Sequence, residues 1–91
     1  MTNAEIAAVF TDIAALLKVK KEIIFKVRAY ERAAGYIMDW PANIEELAKE
    51  GRLREVPGVG EAIEKKITEL VRNGRLQYYE KLKAGVGEAK H

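Results

Sequence analysis

The chain has 91 residues, of which 48% are hydrophobic and 33% are charged, and its formal net charge is +2 at pH 7. This length allows one small domain with a modest core, and the composition is typical of a soluble, mostly helical protein. The absence of cysteine excludes disulfides and thiolate metal sites, and the single histidine, His91, is the last residue, which argues against a zinc centre.

The first predicted helix covers Asn3 to about Leu17, and Asn3 is a suitable N-cap. Apolar residues recur at helical spacing along it: Ile6, Phe10, Ile13 and Leu17. Thr11 and Asp12 interrupt the apolar run, and no basic leader precedes it, which argues against a signal peptide and against a membrane span. We therefore expect a cytoplasmic protein with no membrane segment.

The second predicted helix, from about Ile24 to Met38, lies in the most basic part of the chain. Six basic residues stand against two acidic ones between positions 18 and 32: Lys18, Lys20, Lys21, Lys26, Arg28 and Arg32. Such asymmetry creates a local positive face on a nearly neutral molecule. Lys26 and Tyr30 share one side of this helix with small apolar residues and could line a pocket wall. The alternative is that Lys26 snorkels from the helix end and Tyr30 is ordinary core.

Three shorter helices are predicted after Trp40-Pro41. Asn43 caps a third helix that runs from Ile44 to Lys49 or Glu50. The fourth helix spans about Glu61 to Arg72, with a buried stripe that consists of Ile63, Ile67, Leu70 and Val71. A short last helix covers Leu76 to Leu82. We expect an all-α domain over residues 1–83, a compact four-helix bundle with this short C-terminal helix, followed by a flexible tail over residues 84–91.

The stretch from Val56 to Gly60 is a glycine turn that opens directly into the fourth helix. Pro57 presets its own φ, while Gly58 and Gly60 allow positive φ and a close approach of bare backbone to a ligand. The first amides of the following helix have no internal partner, and the helix dipole favours an anion there. We therefore predict that this corner binds a nucleic-acid phosphate without reading base edges.

The fourth helix carries one lysine whose position suits chemistry. Lys65 projects into solvent, whereas Lys66 lies at the border of the buried stripe. Partial desolvation and a neighbouring charge from Lys26 would lower the pKa of Lys66 and favour the free amine that a Schiff-base nucleophile needs. Glu69, three residues further on, could oppose that shift as an ion-pair partner. The alternative is an ordinary boundary lysine.

An ordered set of segments covers nearly the whole chain: Phe25–Ala34, Glu45-Glu46-Leu47, Leu53–Gly60 and Gly74-Arg75-Leu76. Over about residues 4–83 this set resembles the amino-terminal helix-hairpin-helix domain of family X DNA polymerases, the polymerase beta group, in its bacterial and archaeal branch. The resemblance implies a compact four-helix bundle that binds gapped DNA at a 5′-phosphate.

The resemblance also implies roles for individual residues. Lys66 falls on the lyase nucleophile of animal members, Lys26 on a lysine that holds the 5′-phosphate, and Tyr30 on a pocket tyrosine. The hairpin residues Gly58, Val59 and Gly60, with Lys65 beside them, would contact the DNA backbone. Backbone carbonyls would hold a sodium or potassium ion that bridges to a DNA phosphate, and they belong to Arg54, Val56 and Val59. No other cofactor is required.

Three positions depart from the family pattern. Ala62 replaces a phosphate-binding lysine, Phe25 replaces a histidine of the phosphate pocket, and Tyr78 stands at a basic position. Weak 5′-phosphate binding, weak lyase activity or no lyase activity are all compatible with these changes. The polymerase carboxylates belong to a later domain, so this chain holds no polymerase active site. It is either a domain from a longer chain or a free-standing relative.

Three functional hypotheses follow. The first is sequence-independent binding of gapped or nicked DNA by a monomeric domain, normally followed by polymerase domains in a repair enzyme. The second is a 5′-deoxyribose-phosphate lyase that forms a Schiff base at Lys66. The third is a protein-interaction module, which predicts no affinity for gapped DNA and an exposed apolar patch.

Overall fold

The computed structural model describes the backbone of residues 1–89 and the side chains of residues 1–85. Over those residues the chain is helical and contains no strand. Its helices are α1 (Asn3–Val19), α2 (Ile24–Asp39), α3 (Ile44–Lys49), α4 (Glu61–Asn73) and α5 (Gln77–Ala89), and a short 3-10 turn, Leu53–Glu55, precedes the hairpin. The predicted all-α class is confirmed.

The core is built on the long antiparallel contact between α1 and α2. The periodic residues of α1 are all at most 1% exposed: Ile6, Phe10, Ile13 and Leu17. Phe10 stacks on Tyr30 of α2 with 6.0 Å between ring centroids. Ile44, Ile67 and Leu76 close the core from α3, α4 and the start of α5. Each such fully buried side chain stabilises the fold by about 1.5–3 kcal/mol, so the apolar periodicity decides the packing.

The start of α1 differs from the prediction, because Thr2 is the N-cap and Asn3 is not. The Thr2 hydroxyl accepts a hydrogen bond from the Glu5 amide at 3.1 Å, and the Glu5 carboxylate accepts one from the Thr2 amide at 2.8 Å. These two bonds form a capping box. Asn3 instead joins α1 to the segment before α3: its amide group donates to the Ala42 carbonyl and accepts from the Ile44 amide, both at 2.9 Å.

The last helix is longer than predicted. It continues to Ala89, so the expectation that helical structure ends at Leu82 and that the tail lacks helix is wrong over residues 84–89, while Lys90 and His91 lie outside the described residues. Leu82 is buried, and the Tyr79 hydroxyl donates a hydrogen bond to the Asp12 carboxylate. These contacts hold the first turns of α5 against α1. Among the helices of residues 1–89, none is long and apolar enough to cross a bilayer.

Candidate nucleic-acid interface

The hairpin between the 3-10 turn and α4 is a tight turn over Val56-Pro57-Gly58-Val59. The Val59 amide donates to the Val56 carbonyl at 3.1 Å, and Gly58 has a φ of 85°. Proline at the second position and a positive φ at the third are the features of a type II turn. Val56 and Val59 are 1% and 6% exposed. The two valines therefore anchor the turn in the core while Pro57 and Gly58 stay exposed at its tip.

Among the described residues, several backbone amides at this corner have no hydrogen-bond acceptor, as in an anion-binding site. The first hydrogen bond into α4 joins the Glu64 amide to the Gly60 carbonyl at 2.8 Å, and no side chain caps the helix. Within residues 1–89, no acceptor pairs with the amides of Gly58, Gly60, Glu61 or Ala62. The N-terminus of a helix carries roughly half a positive charge, and unpaired amides beside it are ready donors for a phosphate.

The two glycines of the hairpin do different things. Gly58 needs its positive φ and lies on α2, where a Cβ would stand 3.5 Å from Arg32 Cγ and 3.6 Å from the Ala33 nitrogen. Gly60 has a φ of −96° and a ψ of −170°, which any residue can adopt. Both glycines allow positive φ, as the sequence indicated, and only Gly58 uses it. A Cβ at Gly60 would meet nothing within 4 Å, so this glycine leaves open space beside the unpaired amides.

Exposed ion pairs surround the corner. Lys65 Nζ lies 3.3 Å from the Glu61 carboxylate, and Arg54 contacts Glu64 at 3.1 Å and Glu61 at 3.8 Å. The Lys65 side chain is 75% exposed and the Arg54 side chain 56% exposed. Exposed pairs of this kind contribute at most about 1 kcal/mol. A DNA phosphate can therefore recruit either cation at little cost to the fold.

Lys66 and Lys26 lie near two stacked tyrosines, Tyr30 and Tyr78. Lys66 is half-buried, and its Nζ lies 4.6 Å from the centroid of the Tyr78 ring. Tyr78 in turn stacks on Tyr30 at 6.1 Å with 15° between the ring planes. Lys26 is exposed and lies 3.4 Å from the Glu22 carboxylate. Tyr30 is 6% exposed and belongs to the core, so it agrees with the alternative that Tyr30 is an ordinary core residue.

The two lysines of this cluster have pKa values that shift in opposite directions. Burial, with the nearby charge of Lys26, lowers the pKa of Lys66, and Glu69 opposes this shift. Tyr78, with a further contribution from Glu22, raises the pKa of Lys26. Burial also raises the pKa of Tyr30. Glu69 does not pair with Lys66, because its carboxylate accepts a hydrogen bond from the Gln77 amide at 2.8 Å at the start of α5. The arrangement favours a charged Lys26 beside an amine that loses its proton more readily.

The resemblance assigns a cation to the carbonyls of Arg54, Val56 and Val59, and the structure shows how far these oxygens are already occupied. The Val56 carbonyl accepts one hydrogen bond, from Val59, and retains a second lone pair. Over the described residues, no amide donates to the carbonyls of Arg54 or Val59. Oxygen donors with free lone pairs are the ligands that hard cations prefer.

Sequence reasoning missed two features of this side of the molecule. From the sequence, Tyr78 was recognised only as a position where a basic residue is missing, whereas in the structure its ring lies against the Lys66 ammonium group. The available signal was the pair of aromatic residues, Tyr78 and Tyr79, just after the start of α5. The end of α1, the turn after it and the start of α2 also expose four apolar side chains, between 48% and 76%: Val19, Ile23, Ile24 and Phe25.

A comparison with protein families finds a match to the helix-hairpin-helix domain over residues 1–76. The match runs from α1 through the hairpin and α4 to the start of α5. It therefore includes the glycine corner with its unpaired amides, and it supports a DNA-binding module. Because the matched region covers most of the chain, this protein belongs to the helix-hairpin-helix domain family.

Proposed function

We propose that this chain binds DNA through its backbone phosphates, without sequence specificity, as the amino-terminal domain of a family X repair DNA polymerase. The observation that carries the proposal is the exposed corner at Gly58 and Gly60, where four amides lack an acceptor within the described residues. The helix-hairpin-helix family match supports DNA binding in general. The ordered motifs from Phe25 to Leu76 support the polymerase assignment.

Gapped or nicked DNA with a 5′-phosphate is the proposed substrate. The amides of Gly58 and Gly60 hold one backbone phosphate. The Val59 amide between them is already bonded to the Val56 carbonyl, so Val59 contributes position and no donor. Lys26 and Lys65 add charge on α2 and α4. A site that neutralises three phosphates loses roughly 40-fold in affinity between 50 mM and 200 mM salt, because the bound counterions are released. Steep salt dependence is therefore the main expected signature.

Fluorescence anisotropy with a labelled gapped duplex, with and without the 5′-phosphate, tests this proposal at two salt concentrations. Lys26→Gln should weaken binding several-fold. The matched control is Lys49→Gln, which removes the same charge at the end of α3, where Lys49 pairs with Glu46 at 3.6 Å. A flat salt response, or equal losses in the two variants, would contradict binding at this face.

The bridging cation belongs to the same proposal. The carbonyls of Arg54, Val56 and Val59 would hold a sodium or potassium ion between the hairpin and a phosphate. Replacing potassium by tetramethylammonium at constant ionic strength should weaken binding, since the larger ion cannot be coordinated by carbonyls. Equal affinity for DNA in the two salts would contradict the proposed cation bridge.

A second candidate function, deoxyribose-phosphate lyase activity, is favoured by the half-buried amine of Lys66. Its nitrogen would attack the C1′ aldehyde of an incised abasic site and expel water to form an imine. Loss of a C2′ proton would then break the C3′–O bond and release the DNA with a 5′-phosphate. Borohydride reduces the imine to a stable amine, so it should trap the wild type and Lys49→Ala but not Lys66→Ala. Absence of trapping, or trapping that persists in Lys66→Ala, would exclude this role.

The apolar patch of Val19, Ile23, Ile24 and Phe25 favours a third candidate, a protein-interaction module. That hypothesis predicts no affinity for gapped DNA. The titration described above therefore decides between it and the leading proposal, because one experiment gives opposite outcomes for the two.

A further inference from the structure

The outer face of α2 carries two arginines that lie outside the cluster of Lys26 and Lys66. Arg28 and Arg32 are exposed and four residues apart, so they are neighbours on the helix, roughly 6 Å apart along its axis. At about 100° per residue, Arg28 lies about 160° and Arg32 about 120° around α2 from Lys26. The two arginines therefore form a surface of their own, called the arginine face below, which is directed away from Lys26.

The hairpin lies directly beside the arginine face. Gly58 packs against α2, where an added Cβ would stand 3.5 Å from Arg32 Cγ and 3.6 Å from the Ala33 nitrogen. The aliphatic stem of Arg32 thus lies at the tip of the turn, next to amides that have no acceptor within residues 1–89. The Arg32 guanidinium carbon is 6.0 Å from the centroid of the Tyr36 ring, at the outer limit of a cation–π contact. The arginine face therefore continues the proposed phosphate site of the hairpin along α2.

Neighbouring acids do not neutralise the charge of the arginine face. Glu31, which lies between the two arginines in the chain, pairs with Lys18 of α1 at 2.9 Å. Within residues 1–85, no carboxylate pairs with Arg28 or Arg32. The next acid on this side of α2 is Asp39, roughly 10 Å beyond Arg32 along the helix axis. Two guanidinium groups next to the amides of the hairpin therefore offer a row of donors to an anionic polymer.

We propose that the arginine face binds the backbone of continuous duplex DNA, which has neither a gap nor a strand end. This inference rests on the proposed phosphate site at the hairpin and extends it to a second class of DNA. Arg28 and Arg32 lie in a row along the helix, which suits successive phosphates of a backbone better than one terminal group. Arginine also fits this role because its planar fork of donors grips phosphate oxygens at two points and stays charged. The lysine side of the hairpin then contacts a strand end, whereas the arginine side contacts uninterrupted backbone.

The test uses a labelled dumbbell duplex, whose two ends are closed by loops so that it has neither a gap nor a terminal phosphate. Fluorescence anisotropy measures the affinity of the full chain for this dumbbell and for a gapped, 5′-phosphorylated duplex, between about 50 mM and 200 mM salt. We expect the wild type to bind both. Arg28→Gln and Arg32→Gln should each make the dependence of log affinity for the dumbbell on log salt shallower by about 0.9, and the double variant by about 1.8. At about 100 mM salt, the double variant should bind the dumbbell roughly tenfold or more weakly.

Two controls separate this contact from overall charge and from folding. Arg72→Gln is the matched charge control, because Arg72 is also exposed and pairs with no carboxylate within residues 1–85. It lies in the last turn of α4, roughly 16 Å along that helix from the hairpin end, so it should leave the salt dependence unchanged. The double variant Arg28→Lys/Arg32→Lys keeps both charges and should retain the wild-type salt dependence, since counterion release follows charge. Circular dichroism checks that each variant keeps its helix content.

The outcomes distinguish this inference from the proposed function. An unchanged salt dependence for the dumbbell in the double glutamine variant would overturn the arginine face as a DNA surface. An equal change in Arg72→Gln would also overturn it, because the effect would then come from net charge alone. Binding of the gapped duplex without binding of the dumbbell would show that the domain needs a strand end, which overturns this inference and leaves the proposed function standing. Absence of binding to either duplex would contradict both.

Discussion

Three glycine-to-alanine variants separate the stability of this domain from its proposed DNA binding. Gly58 has a φ of 85°, Gly60 has a φ of −96° with open space around its Cβ position, and Gly35 lies inside α2 with nothing within 4 Å of a Cβ. The same added methyl group therefore meets a strained backbone, a proposed phosphate site and an ordinary exposed helix. We expect three different results from one chemical change.

The magnitudes follow from these environments. Gly58→Ala forces a left-handed conformation on an alanine, which costs about 1–2 kcal/mol. For a domain of this size that loss lowers Tm by roughly 4–16 °C. Gly60→Ala has two opposing effects on the free energy of unfolding. Alanine is a poorer N-cap than glycine, which destabilises α4, but it lowers the conformational entropy of the unfolded chain, which stabilises the fold. These effects cancel to within about 0.5 kcal/mol. Gly35→Ala should stabilise α2 by up to about 1 kcal/mol.

DNA binding should follow a different order. The methyl group of Gly60→Ala stands where a phosphate must approach the unpaired amides. Loss of one charge-assisted hydrogen bond, about 1.5–3 kcal/mol, weakens binding by roughly tenfold or more. Gly35→Ala should bind as the wild type does. Urea denaturation followed by circular dichroism measures the stability, and fluorescence anisotropy at low salt measures the affinity. A Gly60→Ala variant that binds DNA as the wild type does, or that unfolds as readily as Gly58→Ala, would contradict these expectations.

Three further predictions concern the fold. The hydrogen bond to Asp12 raises the pKa of Tyr79 from 10.0 to about 12, so the folded state holds this proton more tightly and the stabilisation is lost as pH rises from 10 to 12. The stability difference between the wild type and Tyr79→Phe should therefore shrink over that range. Thr2→Ala removes the capping box and should cost about 1 kcal/mol in urea denaturation. Phe10→Ala empties a site with 0% exposure and should cost about 3–5 kcal/mol, enough to unfold much of the population.

Each of these fold predictions has a result that would contradict it. A constant difference between the wild type and Tyr79→Phe from pH 7 to pH 12 would show that the Asp12 bond does not couple folding to this titration. An unchanged midpoint in Thr2→Ala would place the helix start elsewhere, and a loss under 1 kcal/mol in Phe10→Ala would mean that the core relaxes around the missing ring.

Much of the fold could be predicted because its signals are local. Ile6, Phe10, Ile13 and Leu17 recur at the helical period, and all four are buried as expected. Asn43 caps α3 through its bond to the Glu45 amide at 2.9 Å. Gly74 ends α4 with a φ of 72°. In each case neighbours in the chain supply the apolar face, the hydrogen bond or the backbone freedom, so no distant contact is needed to decide the outcome.

The sequence predicted only part of the candidate site. The position of Lys66 at the edge of the buried stripe followed from helix geometry, and Lys26 was a plausible neighbour. The sequence did not predict which side chain lies against the Lys66 amine. That side chain is Tyr78, which belongs to α5 and has its ring centroid 4.6 Å from Lys66 Nζ.

The sequence by itself determined where the helices begin and end around the hairpin, which apolar residues form the core, and that a glycine corner opens into α4. Tertiary structure decided that Asn3 ties α1 to the segment before α3, that Gly60 faces open space, and that the Tyr78 ring lies against the Lys66 amine. The physical reason is range. Periodicity, caps and turn dihedral angles act within about four residues, whereas burial, charge–charge contacts and open space depend on which helices the whole core brings together.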